Sequence, residues 1–337
     1  IDGWRLDVAN EVPLQFWRDW YRLVRQLNPE AYTVAEIWDD ARDFLAEGGF
    51  SATMNYHGFS YLAKGFLIDG RLSAHDFGRE LLARAAAYPP AMQFALQNLI
   101  GSHDTDRLAS MIVNRPDDQP YLQPERFDYD VSPRVSPRHD KTYQVRSPTP
   151  EERRLQRMVV LLQMTTVGPP MVYYGDEAGM WGADDPCDRK PMVWDDLQYE
   201  PQAADPWGRR RDPDDVQFDD QLHDFYRRAI ALRNSHPVLR RGGAHMVDYD
   251  DDRQFLALAR TSPEATAIVA FNRGSAQHRW ELPDELAAGA WRLALATDDD
   301  AALDSRNGAA AVVLPPHSAL VLLRPGAGLR GRRFVAS

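Results

Sequence analysis

The sequence of 337 residues predicts an α/β region followed by an all-β region. Apolar, β-prone segments alternate with helical patterns in residues 1–238, an order typical of parallel strands joined by helices. After His236 and Pro237 the pattern changes to short strands separated by Gly, Pro and Asp, which indicates a β-sandwich at 239–325. The basic, Gly-rich residues 326–337 are expected to be a disordered tail.

Five apolar, β-prone segments precede residue 180. They cover residues 1–6, 31–37, 51–55, 95–101 and 171–174. Between the first two, the apolar residues Trp17, Trp20, Val24 and Leu27 recur at helical spacing. A strand–helix–strand order implies parallel pairing, so the carboxyl ends of these strands should lie at one edge of the sheet.

Carboxylates follow the first two of these strands. Arg5 and Asp7 end the first, and Glu36 ends the second. Because strand side chains alternate between faces, Arg5 and Asp7 point the same way, and the cation favours the ionised carboxylate. An Arg-x-Asp pair is also typical of a structural ion pair, and this interpretation stays open at this point.

The fourth and fifth segments also end on polar residues. His103 and Asp104 follow the fourth, and Asp176 and Glu177 follow the fifth. A simpler interpretation is that Asp104 or Thr105 only caps the next helix. Polar groups at four strand ends nevertheless favour one shared site.

Together these segments resemble signatures of the α-amylase superfamily, glycoside hydrolase family 13, and within it the neopullulanase and cyclomaltodextrinase group. Residues 3–11 (GWRLDVANE) are similar to its fourth-strand signature, 36–38 (EIW) to the fifth and 101–105 (GSHDT) to the seventh. Residues 171–177 (MVYYGDE) are similar to the eighth-strand segment, and 179–186 (GMWGADDP) to the loop after it. With a helix at about 221–236, the resemblance covers most of residues 1–240.

The resemblance assigns catalytic roles to three carboxyl groups. Asp7 would be the nucleophile that forms a covalent glycosyl-enzyme, and Glu36 would be the acid and base. Asp104 would stabilise the transition state. Arg5 and His103 would line the subsite that holds the sugar under attack. Retaining hydrolysis does require one ionised and one protonated carboxyl group.

Three further residues are candidate substrate contacts. Asn10 and Glu11 stand where true α-amylases commonly have a Lys-His pair, which favours the cyclodextrin- and pullulan-cleaving branch. Trp38 offers a flat apolar face for stacking on a sugar ring, as Trp181 and Trp207 also could.

The resemblance implies the C-terminal part, strands four to eight, of a (β/α)₈ TIM barrel. Only five candidate strands precede the β-rich region, and a complete barrel takes about 250 residues. We therefore expect an N-terminally truncated member of the family. An open half-barrel exposes two backbone edges, which should cause aggregation or pairing with another chain. The chain as given could be inactive, because the first three barrel strands are missing.

Composition restricts the partners and the compartment. The net charge of −11 and the pI of about 5.3 disfavour nucleic acid and anionic membrane surfaces, which require basic patches. The single cysteine, Cys187, cannot form an internal disulfide, and no apolar run has the length of a membrane span. These features favour a cytoplasmic location.

No cofactor is expected for this chemistry. The acidic loop at 184–188 offers oxygen ligands that could hold a structural Ca²⁺, although such charge runs are usually solvated.

We expect a retaining hydrolase of α-1,4 and also α-1,6 glucosidic bonds in maltooligosaccharides, cyclodextrins, pullulan or other α-glucans. The full-length protein could form a homodimer. Two alternatives stay open. The first is an α-glucan transglycosylase, because a second sugar can replace water as the acceptor. The second is an inactive glucan-binding fragment.

Overall fold

The computed structural model of the protein describes residues 1–115, 135–138, 140–287, 289–304 and 310–326. The predicted tail lies outside the described residues apart from residue 326. Among the helices of the described part, none is long and apolar enough to cross a membrane.

Helices and short parallel strands make up the first part of the chain, as predicted. Its elements are β1 (Gly3–Leu6), α1 (Leu14–Leu27), β2 (Tyr32–Ala35), α2 (Arg42–Gly48), β3 (Ala52–Thr53), α3 (Tyr61–Ala63), α4 (Ala74–Ala86), α5 (Pro90–Gln93), α6 (Leu108–Val113), α7 (Pro150–Thr165), β4 (Gln202–Ala204), β5 (Arg210–Asp214), α8 (Asp220–Ser235) and α9 (Pro237–Arg241). A 3₁₀ turn at Ala9–Glu11 follows β1, and two π-helical turns, Tyr56–Ser60 and Lys64–Ile68, flank α3. β4 and β5 form a separate antiparallel hairpin.

The five predicted strand segments do lie side by side and parallel. β1 pairs with β2, and β2 pairs with β3. The order then continues through isolated parallel bridges, from Met54 to Gln97 and from Asn98 to Pro170. In the structure the fourth segment is represented by two bridge residues, Gln97 and Asn98, and the fifth by the bridge at Pro170 just before it, so both are shorter than the strands predicted for them. The order still brings their carboxyl ends to one edge.

Local sequence features explain the structure of two helices. α1 begins after Pro13 and buries Trp17 against the sheet, whereas Leu27 at its end is exposed. α7 begins with a complete capping box, in which Thr149 and Glu152 bond reciprocally to each other's backbone N–H. Its apolar face is buried in the largest core of the molecule.

In its described residues, the C-terminal part has two packed antiparallel sheets and one short helix. Its elements are β6 (Gly243–Asp250), β7 (Phe255–Thr261), β8 (Ala265–Asn272), β9 (His278–Glu281), α10 (Asp284–Ala287), β10 (Arg292–Ala296), β11 (Ala302–Asp304), β12 (Ala311–Leu314) and β13 (Ser318–Pro325). One sheet has the order β10-β13-β8-β7-β6, and the other has the order β11-β12-β9.

The central strands of the larger sheet are buried on both faces. In β8, Ile268 and Ala270 contribute to the core between the two sheets, whereas Val269 and Phe271 belong to the core formed with the helices. This arrangement gives three layers of helices, sheet and sheet. It explains why these strands are continuous apolar runs with no polar face.

Two buried arginines join the helical part to the larger sheet. Arg233 of α8 donates to the carbonyls of Met164 and Gly168, near the end of α7. Arg260 of β7 and Arg233 both donate to the carbonyl of Leu239 in α9. The last carbonyls of a helix have no partner within it, so guanidinium groups are favourable there.

Candidate active site

One guanidinium group joins the carboxylates at the ends of the first two strands. Arg5 forms ion pairs with Asp7 through one terminal nitrogen and with Glu36 through the other. The second nitrogen also lies 4.0 Å from Asp104 Oδ2. Arg5 is itself placed by β1, whose parallel register sets Arg5 beside Val34 of β2. The structure thus brings together Arg5 and the three predicted catalytic carboxyl groups.

Asp7 and Glu36 have opposite environments. The side chain of Asp7 is 72% exposed, whereas that of Glu36 is 4% exposed. Burial is the main cause that raises the pKa of Glu36 above its ordinary value, and the charges of Asp104 and Asp7 add to it. A hydrogen bond from the backbone of Val8 and the charge of Arg5 oppose this rise without cancelling it. A raised pKa is the property that a general acid requires.

The backbone directly after Asp7, at Val8, is strained. Val8 has a φ of 38°, in the left-handed region that β-branched residues rarely adopt. In this conformation its N–H donates to Glu36 Oε2 at 3.0 Å. The neighbouring Ala9 N–H donates to the Glu36 carbonyl at 3.1 Å, so the turn after β1 is attached to the end of β2. Strain of this kind persists where the surrounding structure enforces it, commonly at functional sites.

His103 and Asp104 approach the cluster from the loop before α6. His103 Nε2 lies 3.4 Å from Asp104 Oδ2. Ser102 Oγ accepts a hydrogen bond from the backbone of Asp104 at 3.1 Å. Arg107 occupies the N-cap position of α6 and no side chain caps that helix, so neither Asp104 nor Thr105 is a helix cap. The capping interpretation is therefore wrong.

A fully buried arginine fixes this loop. Arg107 donates to the carbonyls of Tyr174 at 2.6 Å and Asp188 at 2.8 Å, and it pairs with Asp176 at 3.1 Å. Its backbone N–H donates to the carbonyl of Gly182 at 3.0 Å. The loop that carries His103 and Asp104 is thus attached to the segment after the last parallel bridge.

Arg189 completes the charged cluster, and the sequence did not predict it. Its Nη2 lies 3.1 Å from Asp104 Oδ1, and its Nε donates to the carbonyl of His103 at 2.8 Å. It also pairs with Asp185 at 2.6 Å. No local motif marks this residue, because its position depends on the path of the loop after residue 175.

An aromatic pair borders the cluster. Trp38 stacks on Tyr56, with ring centroids 3.8 Å apart and an interplanar angle of 9°. The hydroxyl group of Tyr56 donates to Ser102 Oγ at 2.8 Å, which links the pair to the Asp104 loop. Tyr56 follows the third parallel strand, so the strand-end signal that identified Glu36 could also have identified it.

Other aromatic and polar candidates differ in placement. Asn10 and Glu11 are exposed in the 3₁₀ turn, and no hydrogen bond or ion pair of the described residues joins their side chains to the cluster. Trp181 is buried, and Lys190 lies over its ring, so the expectation of an open sugar-stacking face at Trp181 is wrong. Trp207 is exposed, near the turn of the β4–β5 hairpin.

The carboxylates of the acidic loop lie in different environments. Asp185 pairs with Arg189, and Asp188 is fully buried. Within the ranges that the structure describes, no three His, Cys, Asp or Glu side chains are arranged to hold a metal ion.

Known proteins resemble the chain over nearly its whole length. No family model matches it. It is 32% identical over 317 residues to a cyclomaltodextrinase of Geobacillus thermopakistaniensis, covering 94% of the chain and 44% of the relative. It is 31% identical over 323 residues to neopullulanase 2 of Thermoactinomyces vulgaris, covering 96% of the chain and 45% of the relative.

The structural comparison agrees. A solved cyclomaltodextrinase matches with a TM-score of 0.71 and 29% identity, covering 96% of this chain and 45% of that one. The chain thus spans somewhat less than half the length of these relatives. The resemblance found in the motifs is confirmed: the chain is a relative of the cyclomaltodextrinases and neopullulanases, glycoside hydrolases of the α-amylase family.

Proposed function

We propose that this chain carries the catalytic groups of a retaining α-glucan hydrolase. The observation that supports this most directly is the Arg5 cluster, in which one guanidinium group pairs with exposed Asp7 and buried Glu36. Retaining glycosidases need two carboxyl groups of different character on either side of the scissile bond. Both carboxyl groups here contact one guanidinium group, which keeps them close together, and retaining enzymes have a short separation between their two carboxyl groups.

In the first step, Asp7 attacks the anomeric carbon while Glu36 donates its proton to the leaving glycosidic oxygen. The carbon–oxygen bond to the leaving sugar breaks, and an ester bond to Asp7 forms. Positive charge develops on the sugar ring in the transition state, and Asp104 supplies a nearby negative charge. His103 and Arg5 would hold the sugar under attack.

In the second step, Glu36 acts as the base. It takes a proton from water, whose oxygen attacks the anomeric carbon and releases Asp7. A sugar hydroxyl group in place of water gives transglycosylation by the same route. None of these steps requires a cofactor, because the carboxyl groups supply both the nucleophile and the proton.

The parallel segments support a correspondence with strands four to eight of a (β/α)₈ barrel. Their order is continuous, and their carboxyl ends carry the candidate residues, where barrel enzymes place their active sites. We infer that residues 1–238 are the catalytic part and 239–325 a supporting β-sandwich. Residues 116–134 and residue 139 within the first range are not described.

Short and cyclic maltodextrins and pullulan are the proposed substrates, with α-1,4 and also α-1,6 bonds cleaved. The names of the relatives, cyclomaltodextrinase and neopullulanase, support this choice. The ring of Trp38, partly exposed beside the cluster and held by stacking on buried Tyr56, supports it chemically, because aromatic rings pack well on the apolar faces of sugars. Asn10 and Glu11 would contact the sugar only if the exposed turn faces bound glucan.

The test is the release of reducing sugar from β-cyclodextrin, pullulan and starch by the purified chain, alone and extended by the three preceding barrel strands, each beside Asp7→Asn. Hydrolysis that disappears with Asp7→Asn supports the proposal. Hydrolysis that persists in that variant overturns the assignment of the site. Maltotriose as the substrate separates hydrolysis from transfer, because transfer produces chains longer than the input.

A glucan-binding role without turnover is the second candidate. It is favoured by the open edge of β1, which pairs only with β2 among the described strands. Retention on immobilised cyclodextrin, weakened by Trp38→Ala and without reducing-sugar release, would support it over hydrolysis.

A further inference from the structure

A small cavity lies away from the Arg5 cluster, between the segment after Gly179 and the β4–β5 region. Its volume is about 210 Å³. Its walls are mainly apolar, and six of the residues that form them are Met180, Trp181, Pro191, Val193, Tyr199 and Val216. Nothing in the proposed hydrolytic mechanism uses this cavity.

The partly buried cation of Lys190 lies at the wall of this cavity. Lys190 Nζ lies 4.9 Å from the centre of the Trp181 ring and donates to Gln202 Oε1 at 3.0 Å. Among the described residues no carboxylate lies within 4.0 Å of this nitrogen. An ammonium group has three N–H donors, so a neutral amide oxygen and an aromatic face do not satisfy it completely.

The environment of Lys190 disfavours its charged form. Burial is the main cause that lowers the pKa of Lys190 to about 8, and the charges of Arg107 and Arg211 contribute to this lowering. Cys187 and Asp214 act in the opposite direction. A buried cation without a countercharge is costly, and an anion that enters the cavity would offset that cost.

A second donor at the cavity has no partner. Trp181 is 4% exposed, and its Nε1 has no hydrogen-bond acceptor within the described part of the chain. Buried donors are nearly always satisfied, so an unpaired one indicates that an acceptor is missing from the structure. The cavity therefore combines apolar walls, an uncompensated cation and an unused N–H group.

We propose that this cavity binds a small aromatic carboxylate, with the carboxylate on Lys190 and the ring against the apolar wall. The size is suitable, because an apolar cavity of about 150 Å³ accommodates a benzene ring. A cavity of about 210 Å³ leaves room for one carboxylate group beside the ring. A neutral sugar would leave the cation uncompensated and place hydroxyl groups against apolar walls.

Isothermal titration calorimetry of the full chain with benzoate, benzyl alcohol and acetate tests the site. Benzyl alcohol has the ring without the charge, and acetate has the charge without the ring. We expect benzoate to bind at least about 10-fold more tightly than either, which corresponds to about 1.4 kcal/mol. Equal affinity for benzoate and benzyl alcohol, or no benzoate binding, would overturn the proposal.

Two variants locate the binding. Lys190→Met removes the charge at similar length, and exposed Lys141→Met is the matched control. We expect Lys190→Met to weaken benzoate binding at least about 10-fold and Lys141→Met to leave it unchanged.

Val193→Phe fills the cavity from its apolar wall and should abolish binding even if Lys190→Met does not fold. Benzoate binding that survives in folded Val193→Phe contradicts the site. These readouts do not depend on hydrolysis, so their failure is distinct from failure of the proposed function.

Discussion

Two carboxyl groups that share one arginine differ in environment, and this difference determines their proposed roles. Asp7 follows the edge strand β1 and faces solvent, whereas Glu36 follows β2, which has a neighbour on each side. Burial penalises the charged form of Glu36 and raises its pKa. The positions of the two residues in the sheet therefore separate a nucleophile from an acid.

Removal of either carboxylate should abolish turnover. Asp7→Asn and Glu36→Gln keep the side-chain shape, and each should lower kcat by about 10²–10⁴-fold or more, because half of the mechanism is lost. Asp43→Asn, an exposed change on α2, is the matched control and should have no effect. Near-normal rates in either site variant, measured as reducing sugar from β-cyclodextrin, would refute the roles.

The pH dependence of stability should report the environment of Glu36. In the folded state the pKa of Glu36 is raised above its ordinary value of 4.5. The contribution of Glu36 to the stability of the fold is therefore complete below pH 4.5 and is lost as the pH rises through the folded-state pKa. Glu36→Gln cannot ionise and should therefore have a higher Tm than the wild type at about pH 7, with little difference at about pH 4. A lower Tm for Glu36→Gln at about pH 7 would contradict the burial argument.

Sequence predicted the residues that stand directly at strand ends, and it missed those placed by loops. Arg5 and Glu36 were predictable because an apolar run ends at a charged residue. Arg189 reaches Asp104 only through the path of a loop 85 residues further along the chain, and no local pattern describes that path. The left-handed backbone conformation of Val8 could not be predicted from the sequence either, since valine normally avoids it.

Among the elements, α7 illustrates how a local signal produces a buried helix. Thr149 and Glu152 satisfy each other's backbone N–H groups, and Arg146 binds both oxygens of Glu152 at 2.8 Å. The helix then passes through the core between the other helices and the larger sheet. The capping box was predictable because it needs only neighbouring residues.

Loss of this cap should destabilise the protein measurably. Thr149→Ala removes the oxygen that accepts from the Glu152 N–H, at a cost of about 1 kcal/mol in the free energy of unfolding. Thr149→Ser retains the hydroxyl group and should be close to wild type. Equilibrium unfolding in urea gives both values, and equal stability of the Ala and Ser variants would show that the cap contributes nothing.

For the strands of the larger C-terminal sheet, the sequence pattern does not predict which faces are buried. The sandwich was predicted from short strands and turn residues, and both packed sheets are present. Alternation of polar and apolar residues does not describe β8, because helices cover the face that a simple sandwich leaves in water. Which face of a strand is covered depends on tertiary packing, and the periodicity of the local sequence carries no information about that packing.

At the scale of the molecule, one face of the α/β part exposes apolar side chains together. Phe16, Leu23 and Leu27 of α1 are each more than half exposed and share one side of the helix. Trp4 of β1 is also exposed beside them and packs edge-on against Trp20. A surface of this kind is typical of an interface, and together with the open edge of β1 it predicts self-association.

Charges on this surface should reduce that self-association. The double variant Leu23→Glu and Leu27→Glu should shift the purified chain toward the monomer, measured by light scattering after size exclusion. Ile230→Glu, at a partly exposed position on α8, is the control and should not change the mass. A wild-type chain that is monomeric at all concentrations would contradict this prediction.

In the proposed mechanism Asp7 becomes covalently attached to the sugar. A fluorinated α-glycosyl fluoride, which forms the glycosyl-enzyme quickly and releases it slowly, should add one sugar to the chain. Peptide mass spectrometry should then find that sugar on Asp7, and Asp7→Asn should remain unlabelled. A label on a different residue, or an equal label in Asp7→Asn, would contradict the account.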